Sequence, residues 1–445
     1  MALKIGFISL GCNKNLCDTE NMMGILAEKE YTITSNPEEA DVIVVNTCGF
    51  IESAQQESID TILEMAQYKE KNCGLLVVCG CLAQRFASQI RSEMPEVDVI
   101  VGTTAFDKIA QAIESGLKGK KESYIYDIDK DVEENLPRIR TTPEYTAYLK
   151  IAEGCDNRCT YCAIPYIRGK YRSRSEEDIL AEANALVEDG VREIILVAQD
   201  TTRYGLDLYE EKRISSLLQK LCEIPKLKWL RIHYSYPEEI DDALIQTIKR
   251  EEKIVKYLDI PVQHGSSSVL KRMGRKTTRE KLEALITKLR MEIPDITLRT
   301  SIITGFPGET EEEFNELCQF LETVRFDRVG VFAYSCEEGT PAAKMGGQLP
   351  QSIKEERRDI VMELSQKISL QRNEQMIGKT LTVITEGFED NLYYGRSGGE
   401  SIEIDPKIYF GAHRELSAGD FLEVTIKSAD IYDLYGEETE RTDLE

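Results

Sequence analysis

Histidine is nearly absent from this 445-residue chain: only His233, His264 and His413 occur, against 12 cysteines. Imidazole-rich metal sites are therefore all but excluded, and any metal is expected to be held by sulfur. A long apolar run is also missing. The stretch at 74–83 falls far short of the roughly 20 residues that span a bilayer, so no membrane association is expected. The opening MALKIGFISLGC lacks the charged segment and long apolar core of a secretory signal, so the expected location is cytoplasmic. Cations are in deficit: 55 Lys plus Arg oppose 79 Asp plus Glu, a formal charge of -24. The chain is a poor general binder of polyanions on that ground, although such acidity also serves solubility alone. With 41% apolar and 30% charged residues, a disordered chain is excluded, and the length suggests two or three domains. Disulfides are not expected in a long cytosolic chain, so cysteine patterns point to metal or catalysis.

The organisation is α/β. Short apolar runs at 4–10, 41–46, 75–80 and 98–102 read as buried parallel strands. Helical patterns separate them, as in 54–68 with Ile59, Ile62, Leu63 and Ala66 on one face. Residues 1–120 are thus expected to form a doubly wound parallel βα domain, with a charged connecting segment over 121–146. From 147 to 372 the rhythm repeats. Strands are expected at 147–153, 193–199, 229–235, 254–260, 297–304 and 328–335, which suits a partial (β/α)6 barrel better than a full eightfold one. A helix over 353–376 would carry the chain away from it. Residues 376–445 read as a small antiparallel β-barrel, with 16 acidic and 6 basic side chains.

Two cysteine patterns carry chemistry. In CDNRCTYC, Cys155, Cys159 and Cys162 lie on one short loop directly after the first barrel strand. Three thiolates so spaced can hold three irons of a cubane and leave the fourth open; a three-Cys zinc knuckle would lack its last ligand. The second pattern is distributed: Cys12, Cys48 and Cys81 each follow one of the first three expected strands. Parallel strands end at one edge, where ligands bind, and a helix N-terminus at each position would offset thiolate charge. The alternative is three buried cysteines acting as small hydrophobes. Cys79 is expected to point into strand packing, which favours Cys81 as the ligand. Cys17 is a candidate spare thiol near the cluster, whereas Cys73, Cys222, Cys318 and Cys336 read as core or surface thiols.

The CxxxCxxC loop at the end of the first strand of a partial βα barrel resembles the radical S-adenosylmethionine (SAM) superfamily. That resemblance implies SAM chelated at the open iron, with Tyr161, Gly305, Pro307 and Gly308 as candidate SAM-site residues; the last three could equally form a plain turn. The segments 197–205 and 263–275 are similar to other site-facing loops of that superfamily. Taken over the whole chain, the order of modules resembles the methylthiotransferase family, whose C-terminal barrel is the OB-like TRAM domain. SLGCNKNLCDTE, NTCGFIESAQQES, GCLAQR and GCDNRCTYCAIPYIRGKYRSR look like its RimO-type branch. Asn13 and Cys17 depart from that branch's usual proline and aliphatic residue.

The resemblance implies two 4Fe–4S clusters, an auxiliary one on Cys12, Cys48 and Cys81 and the SAM-cleaving one on Cys155, Cys159 and Cys162. It implies methylthio transfer to the β-carbon of an aspartate of ribosomal protein uS12, with one SAM as methyl donor and another as radical source. An electron donor such as a flavodoxin or ferredoxin is implied too. A radical route suits a carbon too weakly acidic for a side-chain base tuned near neutrality. An acidic terminal barrel would repel tRNA and attract a basic protein, so the tRNA-modifying branch is the less favoured alternative. A non-enzymatic iron–sulfur scaffold would need every iron ligated by protein, and neither triad has a fourth cysteine. The basic stretches 168–174 and 271–281 could meet RNA, the SAM carboxylate or acidic partner domains.

Overall fold

A computed structural model describes residues 3–131 and 133–439. The N-terminal domain comprises β1 (Lys4–Ser9), α1 (Asn13–Glu28), β2 (Thr32–Thr34), β3 (Val42–Thr47), α2 (Glu52–Ala66), β4 (Leu75–Gly80), α3 (Cys81–Glu93), β5 (Val99–Val101), α4 (Ile109–Leu117) and β6 (Ser123–Tyr124). Its six strands pair in parallel in the order β2-β1-β3-β4-β5-β6. Ile and Val alternate between two apolar layers. Val42, Val44, Val77 and Val99 pack with Met22 of α1 and Ile113 of α4, while Ile43, Val45, Leu76 and Val78 pack with Ile62 of α2 and Leu82 of α3. Helices therefore cover both faces, as a sheet apolar on both sides requires. Strands β2 and β6 were not anticipated. Residues 123–124 lie in the expected connecting segment but extend the sheet beside β5, and a strand of two residues has no periodicity to read.

The central domain begins with β7 (Thr146–Lys150), β8 (Ala152–Glu153), α5 (Ile164–Ile167), β9 (Arg172–Ser173), α6 (Glu176–Glu188), β10 (Glu193–Val197), α7 (Ile214–Cys222) and β11 (Trp229–Ile232). It continues through α8 (Asp242–Arg250), β12 (Tyr257–Asp259), α9 (Ser267–Arg272), α10 (Arg279–Glu292), β13 (Thr297–Thr304), α11 (Glu311–Val324), β14 (Arg328–Ala333) and α12 (Gln351–Glu374). Strands β7, β10 and β11 form one parallel sheet and β12, β13 and β14 another. A Leu230–Ile254 bridge joins them, so six strands make an open arc. One face of each strand, including Leu149, Leu196 and Leu258, packs under the helices. Alternate residues Tyr148, Ile195 and Val197 face the lumen. Helix α12 does not leave the arc. It lies along β14, with Lys354 donating to the Tyr334 carbonyl and Arg357 pairing with Glu309.

The C-terminal barrel closes in the order β15-β16-β17-β19-β18, from β15 (Thr380–Glu389), β16 (Leu392–Ser397), β17 (Ile408–Gly411), β18 (Phe421–Ala429) and β19 (Leu434–Glu438). One pairing departs from the expected antiparallel pattern. Strand β17 runs parallel to β19, because the chain crosses to β18 before returning beside β17. The segment between β16 and β17 enters the lumen of the central arc. Ser401 bonds His233, Asp405 accepts from Tyr257, and Ile402 packs on Tyr148, Ile195 and Val197. Beneath it, fully buried Glu193 sits between Arg231 (3.0 Å) and Arg396. Burial would raise the Glu193 carboxyl, but the two guanidinium groups outweigh it and hold it at about 2, below the ordinary 4.5.

A depressed carboxyl contributes stability above its ordinary value and loses it as pH falls towards the folded value. Replacing Glu193→Gln is expected to cost about 3–5 kcal/mol at neutral pH, because buried Arg231 loses its carboxylate partner and Arg396 keeps Glu386 alone. The variant should also flatten the fall in stability between pH 4.5 and 2, as measured by chemical unfolding at a series of pH values.

Candidate functional site

The first cysteine loop is built between β8 and α5. The Cys155 N–H donates to the Gly169 carbonyl (3.1 Å) and the Cys162 N–H to the Cys159 carbonyl (3.1 Å), which curls the loop. Its neighbours are the segments singled out from sequence. Asn157 donates to Asp200 (2.7 Å), and the Thr160 N–H donates to the Met273 carbonyl (2.9 Å). Tyr236 and Arg275 complete the wall: the Tyr236 hydroxyl lies 3.4 Å from the Cys159 sulfur, and the Arg275 guanidinium stacks 3.9 Å from the Tyr236 ring. Tyr161 packs with Val269, Met273, Phe306 and Tyr334. Phe306 lies between Gly305 and Pro307, so Tyr161 and that turn share a neighbourhood. Gly305 itself rests against Lys354 of α12, its N–H bonded to Glu309, and Gly308 lies exposed at the rim.

The second triad sits at the carboxyl edge of three adjacent strands. Cys12 caps α1 after β1, Cys48 follows β3, and Cys81 opens α3 after β4. Close backbone contact holds these loops together. A Cβ on Gly11, whose φ is +87°, would lie 2.8 Å from Cys48 Cβ, and one on Gly49 would lie 2.8 Å from the Leu82 N. Ser58, fully buried, bonds both the N–H and the carbonyl of Cys48. Cys79 is packed in the apolar layer with Val77 and Val101. Cys17 is not among the loops; it lies in the lumen against Tyr148, Ile195 and Val197. Cys73 and Cys222 are buried, Cys318 is half-buried and Cys336 is exposed.

Burial pushes the Cys48 and Cys155 thiols up to about 12, and raises Cys81 and Cys162 as well. Such groups are neutral thiols until a metal displaces their protons. The donor sets suit iron–sulfur clusters: sulfur only, three to a group, each beside a helix start or tight loop. Among the described residues no three His, Cys, Asp or Glu side chains, those of the two triads included, stand close enough to grip a single ion; a cubane, whose irons each take one thiolate, sets its cysteines further apart.

Arg168 links the two groups, and sequence reasoning did not single it out. It is 2% exposed and donates to Asp18 (2.7 Å), Glu153 (3.0 Å), Asn15 (3.1 Å) and the Cys81 sulfur (3.4 Å). Lys150 completes the cluster by pairing with Asp18 and Glu153. Burial would raise Glu153, but Arg168 and Lys150 prevail and hold it well below the usual carboxylate range. Cys81 also packs with Ala163 and Ile167, and Ala163 directly follows Cys162. Two more arginines of the basic stretches turn inward, Arg174 pairing with Asp178 and Glu182 and Arg275 with Glu238, whereas Arg272 and Arg279 are half-buried against Glu313 and Glu283. Of the partners open to these stretches, the internal acids claim the arginines; the only advance signal was a matching supply of acids nearby in the fold.

Replacing Arg168→Met would leave a net buried negative charge. The expected loss is about 3–5 kcal/mol, read by urea unfolding, with Arg168→Lys intermediate because it keeps the charge without the two-armed contact.

Residues 4–102 match the Uncharacterized protein family UPF0004, residues 149–321 the Radical SAM superfamily and residues 377–438 the TRAM domain. The chain is 51% identical over 446 residues to the ribosomal protein uS12 methylthiotransferase RimO of Acetivibrio thermocellus, covering 98% of each. It is also 51% identical over 437 residues to that of Clostridioides difficile, again covering 98% of each. Among solved structures, the radical SAM methyltransferase TsrM of Kitasatospora setae shares the fold. Its TM-score is 0.56 at 12% identity, covering 86% of this chain and 77% of that one. The cobalamin-dependent radical enzyme OxsB aligns with a TM-score of 0.51 at 14% identity, covering 82% and 56% respectively.

Proposed function

Because the chain belongs to the RimO-type branch of the radical-SAM methylthiotransferase family, we propose that it places a methylthio group on the β-carbon of an aspartate in ribosomal protein uS12. Cys155, Cys159 and Cys162 would hold the 4Fe–4S cluster at which SAM binds, and Cys12, Cys48 and Cys81 an auxiliary one. When bound, these groups supply reductive cleavage of one SAM and a sulfur atom that a second SAM methylates. Tyr161 and the turn at Gly305, Pro307 and Gly308 would line the SAM side of the cavity. A one-electron donor such as a flavodoxin or ferredoxin would supply the reductant.

The observation that carries this reading is the contact of Cys81 with Ala163, the residue after Cys162. It supports the reading that the source of the radical and the source of the sulfur lie close together. The chain's own residues do the rest. Arg168 offsets the charge that would gather on Cys81, and Asn157 and Tyr236 hold the loop of the first triad in shape. Tyr148, Ile195, Val197 and Ile402 fill the lumen and exclude water from below. The acidic C-terminal barrel draws a basic ribosomal protein and disfavours tRNA, and a ribosomal substrate places the reaction in the cytoplasm.

Anaerobically reconstituted protein, given SAM, reductant and either uS12 or tRNA, is expected to add one methylthio group to uS12; a mass gain on tRNA alone would refute the substrate. In the same preparation, Cys81→Ala is expected to lose about half of the bound iron and all transfer, consistent with one of two triads being broken. Cys79→Ala is expected to keep both, and equal iron loss in the two variants would refute the ligand choice.

A further inference from the structure

The cations turned towards the lumen and the triads are matched almost without exception. Lys150 and Arg168 share Asp18 and Glu153, Arg231 has Glu193, Arg275 has Glu238, and Arg299 has Asp259. Lys14 is the exception. It is 7% exposed, and its ammonium stands 3.3 Å from the centroid of the Tyr234 ring. No carboxylate lies within 4.0 Å of it among the described residues. The aromatic face offsets part of the cost of burying this charge, and Cys12 and Glu153 attract it from further off, but an ammonium out of water with no carboxylate in contact is a poor end state.

Its position suggests what completes it. Lys14 is two residues from Cys12, in the first turn of α1. Tyr234 follows the carboxyl end of β11 and packs in the lumen with Tyr148 and Ile195. Tyr234 also has a φ of +59°, a strained conformation for an aromatic residue. It is held there by its N–H to Asp259 (3.3 Å) and by a 2.9 Å hydrogen bond between its hydroxyl and Asn13 Oδ1. The ring is thereby set as a platform for the lysine, between the second triad and the mouth of the arc.

We propose that Lys14 is the receptor for the side-chain carboxylate of the residue being modified, taking a carboxylate oxygen of the aspartate and so presenting its β-carbon beside the Cys12 triad. This inference rests on the substrate reading above and adds the residue that would distinguish an aspartate from its neutral isostere. A single buried cation paired with a carboxylate in a desolvated site gives discrimination of at least about tenfold.

The test uses the reconstituted holoenzyme with fluorescently labelled uS12 and a form of uS12 whose target aspartate is replaced by asparagine, with affinity read by anisotropy and iron content determined for every variant. Wild type is expected to bind the aspartate form at least about tenfold more tightly than the asparagine form. Lys14→Met and Lys14→Gln are expected to abolish that preference, and Lys14→Arg to retain it. Retained discrimination in either neutral variant overturns the proposal, as does a wild-type protein that methylthiolates uS12 yet binds both forms equally. A wild-type protein that leaves uS12 unmodified instead overturns the substrate reading on which the proposal rests.

Discussion

Arg168 carries one positive charge into the junction between the N-terminal domain and the central arc and divides it among Asp18, Glu153, Asn15 and the sulfur of Cys81. With Lys150 it makes a buried set of two cations and two carboxylates that is neutral only when the domains meet in this register. A slip of one position would leave charges unpaired out of water, the costliest error available to such an interface. Arg168 follows the short helix α5, which begins two residues after Cys162, and reaches the Cys81 sulfur at the start of α3.

The C-terminal barrel is joined on the same principle. Glu193 lies between two arginines, one from each module, while Ser401 and Asp405 bond His233 and Tyr257 inside the arc. Part of the module's acidity is therefore not a free surface field: Glu386 pairs with Arg396 of the same module, and Glu400 and Asp405 pair with Arg328 and Arg299 of the arc. The carboxylates that remain outside are the ones able to steer a basic partner. Inside, Ile402 joins Tyr148, Ile195 and Val197 in closing the lumen. A cavity that generates a carbon radical needs that closure, since any loosely held hydrogen donor would quench it.

The strands of the two α/β modules were legible from two patterns: a continuous apolar run at 75–80, which coincides with β4, and alternating burial at 297–304, which coincides with β13. Strands β2, β6 and β9 were not, being two or three residues long and defined by their partners rather than by their own pattern. The stretch 168–174 shows the limit most plainly. Its composition is that of a surface for polyanions, yet Arg168, Arg172 and Arg174 are all buried: Asp18, 150 positions away, meets Arg168, and Asp178 and Glu182 of the next helix meet Arg174. Charge in a sequence states a supply of counter-ions and not their direction.

Spacing within a loop and position at a strand end are local properties. CDNRCTYC and the three cysteines after β1, β3 and β4 could therefore be read from the chain alone, since parallel topology brings the carboxyl ends of neighbouring strands to one edge. The order of the three modules was readable for the same reason. What folding added are pairings between residues more than a hundred positions apart: Arg168 with Asp18, Tyr234 with Asn13, Ser401 with His233. No local periodicity records such contacts. Their energy comes from desolvation, which exists only once the surrounding layers have closed, and so they belong to the assembled molecule.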